Sequence, residues 1–240
     1  MRLFNLPNAL TLVNLLAGCF AVVFIFSYQW DFVPFCVAVS LLADFLDGFA
    51  ARFTKNSTEI GKELDSLADM VSFGFVPGAI VFQLLLQLNE GNTASSPTMV
   101  MLLSAPGFLI TLFAALRLAK FNLDTRQNDG FIGLATPAAT IFVVGYMLVF
   151  LHGLPYLGMQ LNAHAQLILY SISLILPVLM IAEIPMFSFK FKSFGWKGNE
   201  VRYLFIILSV VLLLSLKLAA ISLIIVFYVL ISVILKLIKP

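Results

Sequence analysis

An all-α polytopic membrane helix bundle, with about eight transmembrane helices and both termini cytoplasmic, is the fold this sequence predicts, on three observations. Of the 240 residues, 61% are hydrophobic and 11% charged, against about 45–50% and about 25% in soluble domains. The apolar residues gather into runs of about 16 to 24, long enough for a hydrocarbon core roughly 30 Å thick. Of the 14 basic residues, 13 fall in breaks on one side of these runs, and Lys217 alone falls on the other.

In chain order, the runs predict spans at 8–28, 31–51, 65–88, 98–119, 133–152, 166–187, 201–216 and 218–235. The first exceeds the apolar core of a secretory signal and lacks a small-residue cleavage pattern, so it reads as a span. The breaks near Arg52 to Lys62, Arg117 to Arg126 and Lys190 to Arg202 are basic, as are both termini. Those near Gln29, Asn89 to Ser96 and His152 to Ala165 contain no Lys or Arg. An excess of Lys and Arg marks cytoplasmic loops, which orients the chain. Residues 203–235 contain no Gly or Pro to mark a turn. A terminal hairpin over 201–240 still keeps Lys236 and Lys239 on the basic side, as one long helix would not. The whole chain, 1–240, reads as a single domain.

Composition removes several function classes. A net charge of +2 argues against nucleic-acid binding, and Cys19 and Cys36 both lie inside apolar segments, which argues against a disulfide scaffold. What remains unexplained is a group of acids. Asp44, Asp47, Asp65 and Asp69 all lie in or beside apolar segments, where each would cost about 2.5–3.5 kcal/mol at the centre of a lipid-facing helix. Asp44 and Asp47 are three apart and Asp65 and Asp69 four apart, so each pair shares a helix face. A short turn joins the two helices and lets the pairs converge. Converging carboxylates repel unless a cation lies among them. With only oxygen ligands on offer, that cation is a hard one, Mg²⁺ or Mn²⁺.

The neighbours suit a phosphate-bearing ligand. Gly48 removes a side chain beside Asp47, Arg52 can fork onto phosphate oxygens, and Gly61 falls in the first turn of a helix, where free N–H groups favour anions. Asn56, three residues before Glu59, has capping-box spacing. Asn8 and Thr11 are polar groups near the cytoplasmic start of the first span. Gly74 and Gly78 have the small-xxx-small spacing of a packed bundle or dimer face. His152 and His164 fall on the far side and have no expected role. A cation-coupled transporter could also carry intramembrane acids, but these four sit towards the cytoplasmic ends of their spans rather than at the midplane.

Together these residues read D-x2-D-G-x2-A-R-x8-G-x3-D-x3-D from Asp44 to Asp69. This resembles the signature of the CDP-alcohol phosphatidyltransferase family. The flanking stretches LPNALTLVNLLAGCFAV, IGKELDSLADMVSFGFVPG and RLAKFN resemble its bacterial and archaeal serine-using branch. The resemblance implies transfer of a phosphatidyl group from CDP-diacylglycerol to L-serine, with release of CMP and one or two divalent ions bound. It implies Asp44, Asp47 and Asp65 as metal ligands. Asp69 is implied as the base and can also reach the ions, and Gly48, Arg52 and Gly61 lie around the diphosphate. Asn8 and Thr11 are further candidates for meeting the nucleotide. Arg117, Lys120 and Asn122 are candidates for the acceptor's carboxylate, with Arg126 behind them. The resemblance also favours a homodimer in a cell membrane, with the active site facing the cytoplasm. Two positions depart from the branch: Ala135 precedes Thr136 and Pro137 where Gly-Leu-Pro is expected nearby, and Glu183 stands where a neutral or basic residue is expected. Another acceptor, such as glycerol 3-phosphate, inositol phosphate or choline, is the alternative within the family.

Overall fold

The computed structural model describes residues 5–54, 58–92, 96–124, 131–153, 164–187 and 195–238, and 87% of these are helical. Among the described residues the fold is all-α apart from one two-residue antiparallel ladder. Helix α1 spans Leu6–Phe26 and α2 spans Val33–Phe53, entered through a 3-10 turn at Trp30–Phe32. Helix α3, Glu59–Asp69, runs through a π-helical turn at Met70–Phe75 into α4, Val76–Asn92. Helix α5, Pro97–Ser104, joins α6, Leu109–Leu123, through a 3-10 turn at Ala105–Phe108. There follow β1 (Phe131–Ile132), α7 (Thr136–His152), α8 (Ala165–Ile181), β2 (Pro185–Met186), α9 (Glu200–Leu216) and α10 (Leu218–Ile238).

Five of these rods are long and apolar enough to cross a membrane: Leu6–Phe26, Trp30–Phe53, Glu59–Glu90, Pro97–Leu123 and Leu218–Ile238. The protein is therefore an integral membrane protein. Helices α7, α8 and α9 have 17 residues each, about 25 Å of rise, short of a full hydrocarbon core. Most expected boundaries move by a few residues, three of them for a local reason. The third span begins at Glu59 rather than 65, because polar Lys62, Glu63 and Ser66 lie on a solvated or site-lining turn of the same helix. The fifth begins at Thr136, because Gly133, with φ 77, closes the ladder instead. The sixth stops at Ile181, where Ala182 turns extended (φ −60, ψ 141) and the chain enters β2. Without Gly or Pro to help, the chain turns between α9 and α10 at Lys217, in a left-handed conformation with φ 49.

Helix α4 is the central rod. Val76, Ala79, Ile80, Val81, Leu84 and Leu85 on it are all fully buried. Leu12, Leu16, Phe20, Phe45, Phe49 and most of α9 turn large apolar side chains outward, which a lipid phase makes favourable. The π-helical turn has a local cause in Pro77. Proline has no N–H for the carbonyl four residues earlier, so Phe73 O lacks its helical donor, and the hydroxyl of Thr140 on α7 supplies one at 3.1 Å. Val76 N–H reaches back five residues to Val71 O. Beside it, Thr111 Oγ1 on α6 donates to Gly74 O at 3.0 Å. The Gly74/Gly78 face is thus used within the chain: a Cβ on Gly78 would overlap Thr111 Oγ1, and one on Gly74 would sit 3.1 Å from Ala114 Cβ.

The two ends of the bundle differ. One gathers Lys62, Lys120, Glu183 and Lys236. The other holds a network of the buried Asn89 and Ser104 with the half-buried Gln166 and Tyr170, and the pair between His152 Nε2 and Asp31 Oδ1 at 3.7 Å. Arg2, Lys55, Asn56, Arg126, Lys190, Lys192 and Lys239 lie outside the described residues.

Candidate active site

Helix α1 packs on both α2 and α3 and so brings their acidic faces together at the site. Asp44 and Asp47 project from one face of α2, and Asp65 from the facing side of α3. One carboxylate oxygen from each of the three lies within 4.8 Å of the others. Asp47 is buried, and Thr11 Oγ1 donates to its Oδ2 at 2.6 Å. Asp65 Oδ1 is buried with no hydrogen-bond partner among the described residues. Three acceptor-only groups this close, one of them with an orphaned buried oxygen, fit a divalent cation of the oxygen-seeking class.

Asp69 stands apart from this trio, one turn further along α3. Asn14 Nδ2 donates to its Oδ1 at 3.1 Å. Asn14 is fully buried, and its backbone oxygen accepts from Ser40 Oγ at 3.1 Å and Ser72 Oγ at 2.9 Å, so α2 and the π-helical turn fix it from two sides. The sequence reading missed this residue. Its signal was the spacing of Asn8, Thr11 and Asn14, three residues apart along an apolar helix, which draws a polar stripe down one face.

Beside the trio opens a cleft of about 100 Å³ lined by Asn8, Thr11, Asp47, Gly48, Gly61 and Lys62, with Asp65 at its wall. Lys62, counted from sequence only as a topology charge, brings a cation to this cleft. Arg52 is exposed at its edge, its Nη1 3.9 Å from where a Gly48 Cβ would stand. The cap of α3 is Thr58, whose Oγ1 accepts from Gly61 N at 3.1 Å; the expected capping residue, Asn56, lies outside the described residues. Thr58 wins by position, since helical geometry begins at Glu59 and the Ncap is the residue before it. Gly61 has little room: a Cβ there would meet Thr58 Oγ1 at 3.0 Å and Asn8 Oδ1 at 3.2 Å.

The acceptor candidates divide. Arg117 on α6 is buried, 6% exposed, and lies within electrostatic reach of Asp69. Its Nε finds no acceptor among the described residues, and its guanidinium stands 5.8 Å over the Phe121 ring. Lys120 instead pairs with Glu183 Oε1 at 3.2 Å, and Lys236 Nζ donates to Glu183 O at 2.7 Å. Asn122 is exposed and donates to Ser66 Oγ at 2.9 Å, next to Asp65 on α3. The unexpected Glu183 thus engages one of the three cations and amides proposed from sequence.

A helical membrane domain with a carboxylate trio and a small polar cleft between its first three helices defines a class of integral membrane enzyme suited to a divalent cation and an anionic substrate. Residues 4–181 match the CDP-alcohol phosphatidyltransferase family, and the chain belongs to that family. It is accordingly a transferase of phospholipid biosynthesis, from a family that uses a divalent metal. Among its relatives is the CDP-diacylglycerol–serine O-phosphatidyltransferase of Helicobacter pylori strain 26695. That relative is 33% identical over 190 residues, covering 78% of this chain and 74% of the relative. Proteins of the same name from Methanocaldococcus jannaschii and Saccharomyces cerevisiae are 32% and 31% identical, over 60% of this chain in each case and 61% and 54% of theirs.

Proposed function

We propose that this protein transfers the phosphatidyl group of CDP-diacylglycerol to L-serine, giving phosphatidylserine and CMP. The observation that carries the reading is the Asp44, Asp47 and Asp65 trio opening beside the cleft of Asn8, Gly48, Gly61 and Lys62. The names of the relatives support serine as acceptor. Asp44, Asp47 and Asp65 would hold Mg²⁺ or Mn²⁺, one ion or two. Bound there, such an ion offsets the charge of the diphosphate and of the departing CMP.

The remaining chemistry belongs to the chain. Lys62 and the positive end of the α3 dipole receive the diphosphate, and Arg52 closes on it from the rim. Gly48 and Gly61 leave the backbone bare so that the phosphates can approach. Asp69, its Oδ1 held by Asn14, takes the serine hydroxyl proton on its other oxygen. The serine oxygen then bonds to the β-phosphorus, and the bond from that phosphorus to CMP breaks. Arg117, with Lys120 and Asn122 further out, receives the serine carboxylate. Acyl chains remain among the outward apolar faces of the bundle, which explains why this reaction is done by a membrane protein.

The reading includes one domain of eight crossings, both termini and the active site on the cytoplasmic side of the inner membrane, and a homodimer. The gathering of Lys62, Lys120 and Lys236 at one end supports the orientation. The dimer rests on family resemblance, and cross-linking in native membranes tests it. The deciding experiment measures CMP release by the purified chain with CDP-diacylglycerol and Mn²⁺ or Mg²⁺. It compares L-serine with glycerol 3-phosphate, inositol phosphate and choline. Serine-driven release that Asp69→Asn abolishes is expected. Release driven by another alcohol moves the acceptor assignment and leaves the family chemistry standing, and no release with any acceptor refutes the catalytic reading.

A further inference from the structure

Helices α6 and α7 pack on the π-helical turn and on each other, and their hydrogen bonds to the α3–α4 rod fix which residues stand level. Helix α6 runs antiparallel to the rod. Thr111 Oγ1 donates to Gly74 O at 3.0 Å, and Asn122 Nδ2 donates to Ser66 Oγ at 2.9 Å, nearer the Lys62 end. Arg117 falls between Thr111 and Asn122, and Asp69 falls between Ser66 and Gly74, so the two stand at one level. Helix α7 runs parallel to the rod. Its start is tied by Gly133 N to Ile184 O, at the end that gathers Lys62, and its far end pairs His152 with Asp31. Thr140 Oγ1 meets Phe73 O at 3.1 Å. One turn nearer the Lys62 end, about 6 Å along each axis, come Thr136 on α7 and Asp69 on α3. Thr136 and Thr140 are four apart, as are Asp69 and Phe73, so each pair lies on one helix face. Arg117 and Thr136 thus flank Asp69 from two helices, and Asn14 holds it from a third.

Two polar side chains at this level are unsatisfied. Thr136 is 1% exposed and Arg117 6%, yet Thr136 Oγ1 and Arg117 Nε have no hydrogen-bond partner among the described residues. Buried polar atoms are rarely left bare, and two donors on neighbouring helices beside one carboxylate make a cradle for an anionic group. Thr136 also opens α7, whose cap residue Ala135 brings no side-chain oxygen to the first turn. The positive end of that 17-residue helix therefore adds to the same cradle.

We propose that Thr136 binds the acceptor: its hydroxyl donates to the carboxylate of L-serine, which the planar fork of Arg117 grips from the α6 side, so that the serine hydroxyl faces Asp69. This deepens the serine reading and rests on it. Lys120 is engaged by Glu183 and Asn122 by Ser66, so Arg117 and Thr136 form the inner pair.

The test uses the full chain with CDP-diacylglycerol and Mn²⁺. Thr136→Val keeps the shape and loses the donor. It is expected to raise KM for L-serine about tenfold, while kcat and KM for CDP-diacylglycerol stay within about twofold. Thr136→Ala removes the same oxygen without adding a methyl, so it carries the test if the valine variant fails to fold, and the same rise is expected. Thr136→Ser returns the hydroxyl and should bring KM back to within about twofold of the wild type. Thr140→Val, one turn along α7, is the structural control. It takes the hydroxyl from Phe73 O and loosens α7 on the rod without touching the carboxylate. There kcat is expected to fall, with KM for serine within about twofold. An unchanged KM in the variants that lose the hydroxyl, a Thr136→Ser no better than they are, or the same KM and kcat changes in Thr140→Val would each overturn the role of Thr136 while leaving the serine reading intact. A wild type that turns over CDP-diacylglycerol with another alcohol but not with serine overturns both.

Discussion

Replacing Asn14 with alanine separates catalysis from folding. The substitution removes the Nδ2 donor 3.1 Å from Asp69 Oδ1, a hydrogen bond to a charged group of the kind worth about 1.5–3 kcal/mol. If Asp69 is the base and needs that donor for its charge and aim, kcat falls by about 10- to 150-fold, at about 1.4 kcal/mol per tenfold. Stability should move far less. Asn14 Oδ1 is buried without a partner among the described residues, so alanine also removes an uncompensated polar atom, and the backbone oxygen that holds Ser40 and Ser72 remains. Asn14→Asp keeps the shape but sets a fifth carboxylate against the cluster, and it should be worse than alanine. The assay is CMP release at saturating substrates, with thermal unfolding in the same detergent. A wild-type kcat in Asn14→Ala, or a loss matched by a collapse in unfolding temperature, would refute the reasoning.

Other outcomes follow from the same geometry. Asp44→Asn and Asp65→Asn should each lower Mn²⁺ affinity at least about tenfold, read directly by titrating the ion's paramagnetic resonance signal, and chelation should abolish CMP release until Mn²⁺ or Mg²⁺ returns. Gly61→Val forces atoms against Thr58 Oγ1 and Asn8 Oδ1, so KM for CDP-diacylglycerol should rise about tenfold or more with helix content unchanged by circular dichroism. Glu183→Gln breaks a pair whose side chains are 40% and 63% exposed, so stability should change by less than about 1 kcal/mol in a denaturant titration. In a cysteine-free background, cysteines at positions 62 and 217 should label from opposite faces of sealed vesicles; labelling from the same face would refute the assigned topology.

How much of this was legible beforehand varied with how strongly each residue violates its surroundings. Four aspartates in or beside apolar runs cannot be ignored, and helical spacing then says which share a face. Asn14 carries no charge, and one amide in an apolar helix looks like any helix-pairing residue, although its spacing from Asn8 and Thr11 marked the face. The ladder of Phe131 with Met186 and Ile132 with Pro185 was invisible because two residues carry no alternation to read. The span expected to 187 ends at 181 because Ile184, Pro185 and Met186 are as apolar as a helix end while pairing as a strand. The turn at Lys217 bears no glycine, so a reading from composition could expect it only through the sidedness of Lys236 and Lys239. Lys120 was read as free because its partner, Glu183, is 63 positions away and only the fold brings them together.

The widened turn at Met70–Phe75 makes α3 a lever. Asp65 lies eight residues below Phe73, about 12 Å along the axis at 1.5 Å per residue. A tilt of about 5° at that joint would carry its carboxylate about 1 Å, a displacement that can cost about a hundredfold in rate. Two hydroxyls, of Thr140 and Thr111, brace the joint from neighbouring helices, outside the carboxylate trio and the cleft beside it. Loss of either methyl-sized clamp would detune the reaction from a distance, so sites of inherited inactivity in this protein should include threonines that touch nothing reactive.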